Sequence, residues 1–141
     1  MPCDGLDMED VKIRDEDYAM LATFRYELRR FLHFSERAAE DAGVTAQQHQ
    51  ALLAIRAASG AAMPVGALAE RLLLRPHSTT GLIDRLQKLD LVERFQADGD
   101  RRQVLVRLTP MGETLLATLS EAHRAELRRL TPLLAGLMEF V

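Results

Sequence analysis

The sequence predicts a mainly α-helical fold with one small β-hairpin, and three observations predict it. Apolar residues recur at three- and four-residue spacing through several separate stretches of the 141-residue chain, the period of helices with one buried face. A single stretch, "QVLVRL" at 103–108, sets Val104, Val106 and Leu108 on one face and Leu105 and Arg107 on the other, by the two-residue period of a strand. Before it stand "LVERF" at 91–95 and the turn-rich "QADGDR", so the strand has a partner from which the chain turns back.

Taken in order, "MPCDGLDMEDVKIRDEDY" opens the chain with acids where a signal peptide would carry bases and then an apolar run. Residues 1–17 are therefore expected to form an acidic arm. From Asp15 to Gly43 the acids lead and the bases follow, while Leu21, Phe24, Leu28, Phe31, Ser35 and Ala38 mark one face. That is an amphipathic helix with its charges aligned to its dipole. A helix of about 25 residues spans about 40 Å, more than a small domain needs for its own core. A second subunit would use the surplus, as would a larger domain that the helix caps.

Thr45 is placed to cap a second helix bearing Leu52, Leu53, Ile55 and Ala58, which ends at the turn-like "SGAAM". Two short helices follow: "VGALAERLLL", with Val65, Leu68, Ala69 and Leu72 on one face, and "HSTTGLIDRLQKLD", with Leu82, Ile83, Leu86 and Leu89. Pro76 in the short link between them disfavours a helical Arg75. Two short helices joined by a few residues form a helix-turn-helix, whose second helix enters the DNA major groove. The hairpin comes next, with Val104, Val106 and Leu108 on one side and Asp98, Gly99, Asp100, Arg101 and Arg102 at its tip. An isolated hairpin is marginal in water and must lean on those helices, which makes the unit a winged helix-turn-helix. Thr109-Pro110 starts a further helix, and Thr131-Pro132 opens the apolar "LLAGLMEFV". That last stretch calls for a partner subunit or for the first helix to cover it. The expected organisation is an arm at 1–17, a helical dimerisation region at 18–44 and 109–141, and a winged helix-turn-helix at 45–108.

Composition narrows the function. A 48% hydrophobic content suits a folded chain, and the net charge of −3 gives no overall attraction to a polyanion. The average hides an asymmetry, because residues 71–107 hold eight Lys/Arg against five Asp/Glu, as one polyanion-facing surface would. Cys3 is the only cysteine, so neither an internal disulfide nor a thiolate zinc cluster can form, consistent with a reducing cytoplasm. No apolar run reaches the roughly 20 residues that span a bilayer, and no partnership with a membrane is expected. Enzymatic motifs are missing too: the sequence has no Gly-x-Ser-x-Gly, no His-Glu-x-x-His and no glycine-rich phosphate loop. His33, His49, His77 and His123 fall on separate elements without metal-ligand spacing, and no metal or cofactor is expected.

The run "LAERLLLRPHSTTGLIDRLQKLDLVERFQADGDRRQVLVRLTPMGETL" resembles the MarR-type winged-helix transcriptional regulators, with Asp100, Arg102, Val104, Val106, Leu108, Thr109 and Gly112 in the family's order and spacing. The resemblance covers roughly residues 18–119. It implies a homodimer built from the first and last helices and bound to double-stranded DNA at a pseudo-palindromic operator. It also implies, for many members, release by a small aromatic or anionic effector held between the two regions.

Site residues follow from the motif and from the helix pair. His77, Ser78, Thr79 and Thr80 open the recognition helix, where hydroxyls touch phosphates or base edges; Ser78 is equally a candidate N-cap. Arg75 and Arg85 are expected to approach the backbone, with a carboxylate pair as the competing role for Arg85. By the resemblance, Asp100 braces one wing arginine while the other, of Arg101 and Arg102, enters the minor groove, and Arg94 occupies a commonly basic position. Gly81 and Leu73 depart from the family, which commonly has a polar residue and a turn glycine there. Arg25, Tyr26, Arg29, His33 and His49 are the residues nominated to line an effector pocket. The competing function is a winged-helix module that binds proteins and not DNA.

Overall fold

In the computed structural model, residues 12–97 and 103–141 are described. Their order is α1 (Asp15–Asp41), α2 (Ala46–Ala57), β1 (Ala62–Pro64), α3 (Val65–Leu72), α4 (Pro76–Lys88), β2 (Val92–Gln96), β3 (Val104–Leu108), α5 (Pro110–Arg129) and α6 (Thr131–Phe140). α1 begins at Asp15, where the leading acids were expected to start it: Asp15, Glu16 and Asp17 fill its first turn and Asp17 accepts the Arg14 N–H at 2.9 Å. Three residues assigned to the arm are thus helical, held there by charge at the positive end of the helix dipole. Gly43 ends the helix at φ +87°, a conformation that a Cβ would oppose. Thr45 caps α2 reciprocally: its hydroxyl accepts the Gln48 N–H at 3.1 Å while the Gln48 side chain accepts the Thr45 N–H at 3.0 Å.

The expected hairpin forms, with Val92 opposite Leu108 and with Gln96, expected in the loop, paired opposite Val104. It also gains a third strand. Part of "SGAAM", expected as a turn, pairs with β3 through Ala62 opposite Arg107 and Met63 opposite Val106, giving the order β1-β3-β2. Three residues carry no alternation to read, and Pro64, with no N–H to donate, suits an edge strand. Val106 and Leu108 are buried as expected, whereas Val104 is 40% exposed at the far end of the ladder.

Between α3 and α4 the chain turns on Leu73, at φ 56°, ψ 40°, a left-handed conformation in which a Cβ is strained. Its side chain is 92% exposed and so has little packing to lose. Leu73→Gly is therefore expected to raise stability by about 0.5–1 kcal/mol, the relief of strain outweighing the added freedom of the unfolded chain. Urea denaturation of the two proteins measures it.

The core is gathered in the winged helix and where α1 and α5 meet it. Leu52, Ile55, Leu68, Leu82, Ile83, Leu86, Val92 and Val106 are essentially inaccessible, and Ala39, Leu116 and Leu119 join them. The Leu-Thr-Pro-x-Gly run knots sheet to helix. Thr109 donates its N–H to Leu91 and its hydroxyl to the Asp90 carbonyl, and the same oxygen accepts the Gly112 N–H at 3.1 Å. Far from the core, α1 buries only Ser35 and Ala39 over 27 residues. Leu21, Leu28 and Leu32, and Leu134 and Met138 of α6, remain exposed. α6 does fold back on α1, bringing Gly136 beside Met20, yet leaves that apolar surface uncovered.

Candidate nucleic-acid interface

α4 presents its first turn outward. Proline has no N–H to lose at the first helical position and keeps the preceding residue out of the helical region; Arg75 accordingly sits extended at φ −70°, ψ 146° and occupies the N-cap. This moves Ser78 to the third helical position, so it is not the cap, and its exposed side chain points outward with those of His77 and Thr80. Thr80 donates its hydroxyl to the Pro76 carbonyl at 3.1 Å. Thr79 is corrected: wholly buried, with its hydroxyl on the Arg75 carbonyl at 3.2 Å, it packs against the core and cannot reach a duplex.

The bases of this region divide into paired and unpaired. Arg94 lies across to α4, donating to Asp84 at 2.7 Å and to Gln87 at 2.5 Å. The basic residue that the resemblance places here is thereby a tie between β2 and α4. Arg107 pairs with Glu93 at 2.7 Å and stacks 4.1 Å from the Phe95 ring centroid. Among the described residues no carboxylate pairs with Arg75 or Arg85. A Cβ on Gly81 would stand 3.4 Å from the Arg85 guanidinium, so the missing side chain leaves room for that cation to lie along the helix. Asp100, Arg101 and Arg102 fall outside the described residues; β2 and β3 form the stem that carries them.

These elements form the helix-turn-helix and wing stem in sequence, and residues 42–103 match the model of the MarR family. Three known proteins are similar to this chain. The HTH-type transcriptional regulator YsmB of Bacillus subtilis (strain 168) is 39% identical over 66 residues, 47% of this chain and 45% of its own. The chain thus spans about half the length of the curated relatives it matches. AbsC, a MarR family transcriptional regulator from Streptomyces coelicolor, superposes with a TM-score of 0.71 at 23% identity over 91% of this chain and 88% of its own. A MepR mutant of S. aureus, solved bound to an oligodeoxyribonucleotide, gives 0.68 at 19% identity, with 82% of each chain covered. At such identities the structural likenesses speak for the fold, and they extend it to the helices flanking the matched segment.

The nominated effector residues are not brought together. Tyr26, Arg29 and His33 line a groove of about 730 Å³ between α1 and α5. His49 lines a different one of about 590 Å³, with Phe31, Leu53 and His123, and Arg25 borders neither. Helical geometry is the reason: three- and four-residue steps keep 26, 29 and 33 on one face of α1, while α2 packs against another. Sequence reasoning also missed the meeting of His49 with His123, whose ring centroids lie 4.8 Å apart. A signal existed, since His123 extends the apolar series of Leu116 and Leu119 and Ser35 interrupts that of α1. No described helix is long and apolar enough to cross a membrane, and no cluster of three His, Cys, Asp or Glu among the described residues could hold a metal.

Proposed function

We propose that the chain is a sequence-specific DNA-binding transcriptional regulator, acting as a homodimeric repressor that a small aromatic or anionic effector releases from a pseudo-palindromic operator. The observation that carries this reading is the outward first turn of α4, where Arg75, His77, Ser78 and Thr80 are exposed and Arg85 follows one turn on without an ion-pair partner among the described residues. Such a surface offers phosphate-binding cations beside short donors for base edges. The wing arginines Arg101 and Arg102 would extend it into the adjacent minor groove. The MepR relative solved with an oligodeoxyribonucleotide supports the partner. Apolar side chains left bare along α1 and α6 support the second copy; two copies would set their recognition helices about 34 Å apart, one duplex turn.

Fluorescence anisotropy with a labelled duplex from the region upstream of the protein's own gene tests the reading. Arg85→Ala and Arg102→Ala are each expected to weaken binding about tenfold and to reduce the slope of log K against log salt by about one. Circular dichroism of Arg85→Ala should be unchanged, because that exposed side chain lies outside the core. Binding no stronger than to scrambled duplex, and indifferent to both substitutions, would leave the protein-interaction module as the answer.

A further inference from the structure

His123 of α5 is wedged where three helices meet. Its Nδ1 lies 2.6 Å from the Leu119 carbonyl and its Nε2 2.7 Å from the Ser35 hydroxyl. A carbonyl only accepts, so Nδ1 donates to Leu119, while Nε2 and the Ser35 hydroxyl of α1 share the second hydrogen bond. Phe31 and Phe34 of α1 close on the ring edge-on, at 5.8 and 5.4 Å between centroids. The fourth neighbour is His49 of α2, a ring 97% buried whose Nδ1 has no hydrogen-bond partner. The pair therefore spans the joint between the helical arm (α1, α5) and the winged-helix body that α2 begins.

We propose that His49, packed against His123, forms a proton-sensitive latch at this joint, shut while the His49 ring is neutral and opened when acid charges it, so that DNA binding weakens on acidification. The inference rests on the DNA-binding reading above for its output, but the latch itself does not. A charged His49 would carry a buried N–H with no acceptor, beside a second imidazole in a site lined with phenylalanine. Both are costs that opening or hydrating the joint removes. Other charges nearby do not answer this one: Glu36 of α1 and Arg124 of α5 line the same groove but neither bonds to either ring, and His33 and Glu126 face the groove on the opposite side.

Burial first, and then the neighbouring His123, hold His49 below its ordinary pKa of 6.5. The unfolded or opened chain thus binds the proton more readily than the closed one. Stability from the closed joint is complete above about pH 6.5 and is lost as pH falls from there toward the lowered value.

The test compares the full chain with His49→Phe and His49→Gln, neither of which can be charged. Histidine side-chain NMR should place the His49 midpoint below 6.5. From pH 7.5 to 5.5 the wild type should lose at least 3 °C more in Tm than the better-folded variant. Its affinity for the upstream duplex should fall at least tenfold more, His77 being common to both and so cancelling. A His49 midpoint at or above 6.5, or an equal pH response in wild type and variants, overturns the latch. Absence of DNA binding at every pH overturns the DNA-binding reading, and with it the proposed output, while NMR and melting still decide whether the joint is a latch.

Discussion

Gly112→Ala is expected to cost about 3 kcal/mol, at the upper end of overpacking effects. A Cβ at this position would run into the Leu91 carbonyl oxygen, a backbone atom with no rotamer by which to retreat. That carbonyl already accepts the Thr109 N–H at 3.0 Å, and Gly112 gives its own N–H to the Thr109 hydroxyl. Displacing either group therefore loosens the whole knot between the sheet and α5. In a chain of this length the loss corresponds to a Tm lower by about 10 °C. Gly66→Ala makes the control, because an added methyl there meets nothing within 4 Å and favours the helix. A Gly112→Ala protein that melts with the wild type would show that α5 does not approach the sheet so closely.

Charging the uncovered face of α1 should have the largest effect on assembly. Leu28 and Leu32 are 41% and 55% exposed and stand one helical turn apart. In the proposed homodimer each would be buried twice, once per copy, contributing about 1–2 kcal/mol at each occurrence. Leu28→Glu combined with Leu32→Glu is expected to yield a folded monomer at micromolar concentration by analytical ultracentrifugation. Affinity for the upstream duplex should fall at least a hundredfold, since the two half-sites no longer bind as one. A double variant that still sediments as a dimer would place the subunit contact elsewhere.

Periodicity carried most of the fold. The helices, the two strands of the hairpin and the Thr45 and Thr109 caps were legible because each depends on residues within a few positions of one another. β1 was not, for its three residues become a strand only through a partner more than forty positions away. Within α4, spacing showed which residues share a turn, but the inward position of Thr79 depends on how the helix packs against α3 and β2. Arg94 illustrates a different limit: its charge was visible in the sequence, whereas its commitment to Asp84 and Gln87 is a property of the assembled chain. The histidine pair joins positions 74 residues apart, beyond any local pattern.

That Arg94 tie has a mechanical consequence. With β2 pinned to α4 from outside, and Leu82, Ile83 and Leu86 sharing one core with Val92 and Val106 from inside, the described part of the proposed DNA-facing surface is tied together as one body. A signal arriving through α1 or α5 would then swing it as a single paddle, leaving its outline intact and changing only where it points. In a two-bladed reader such steering alters the gap between the blades, which a duplex of fixed pitch reads as fit or misfit.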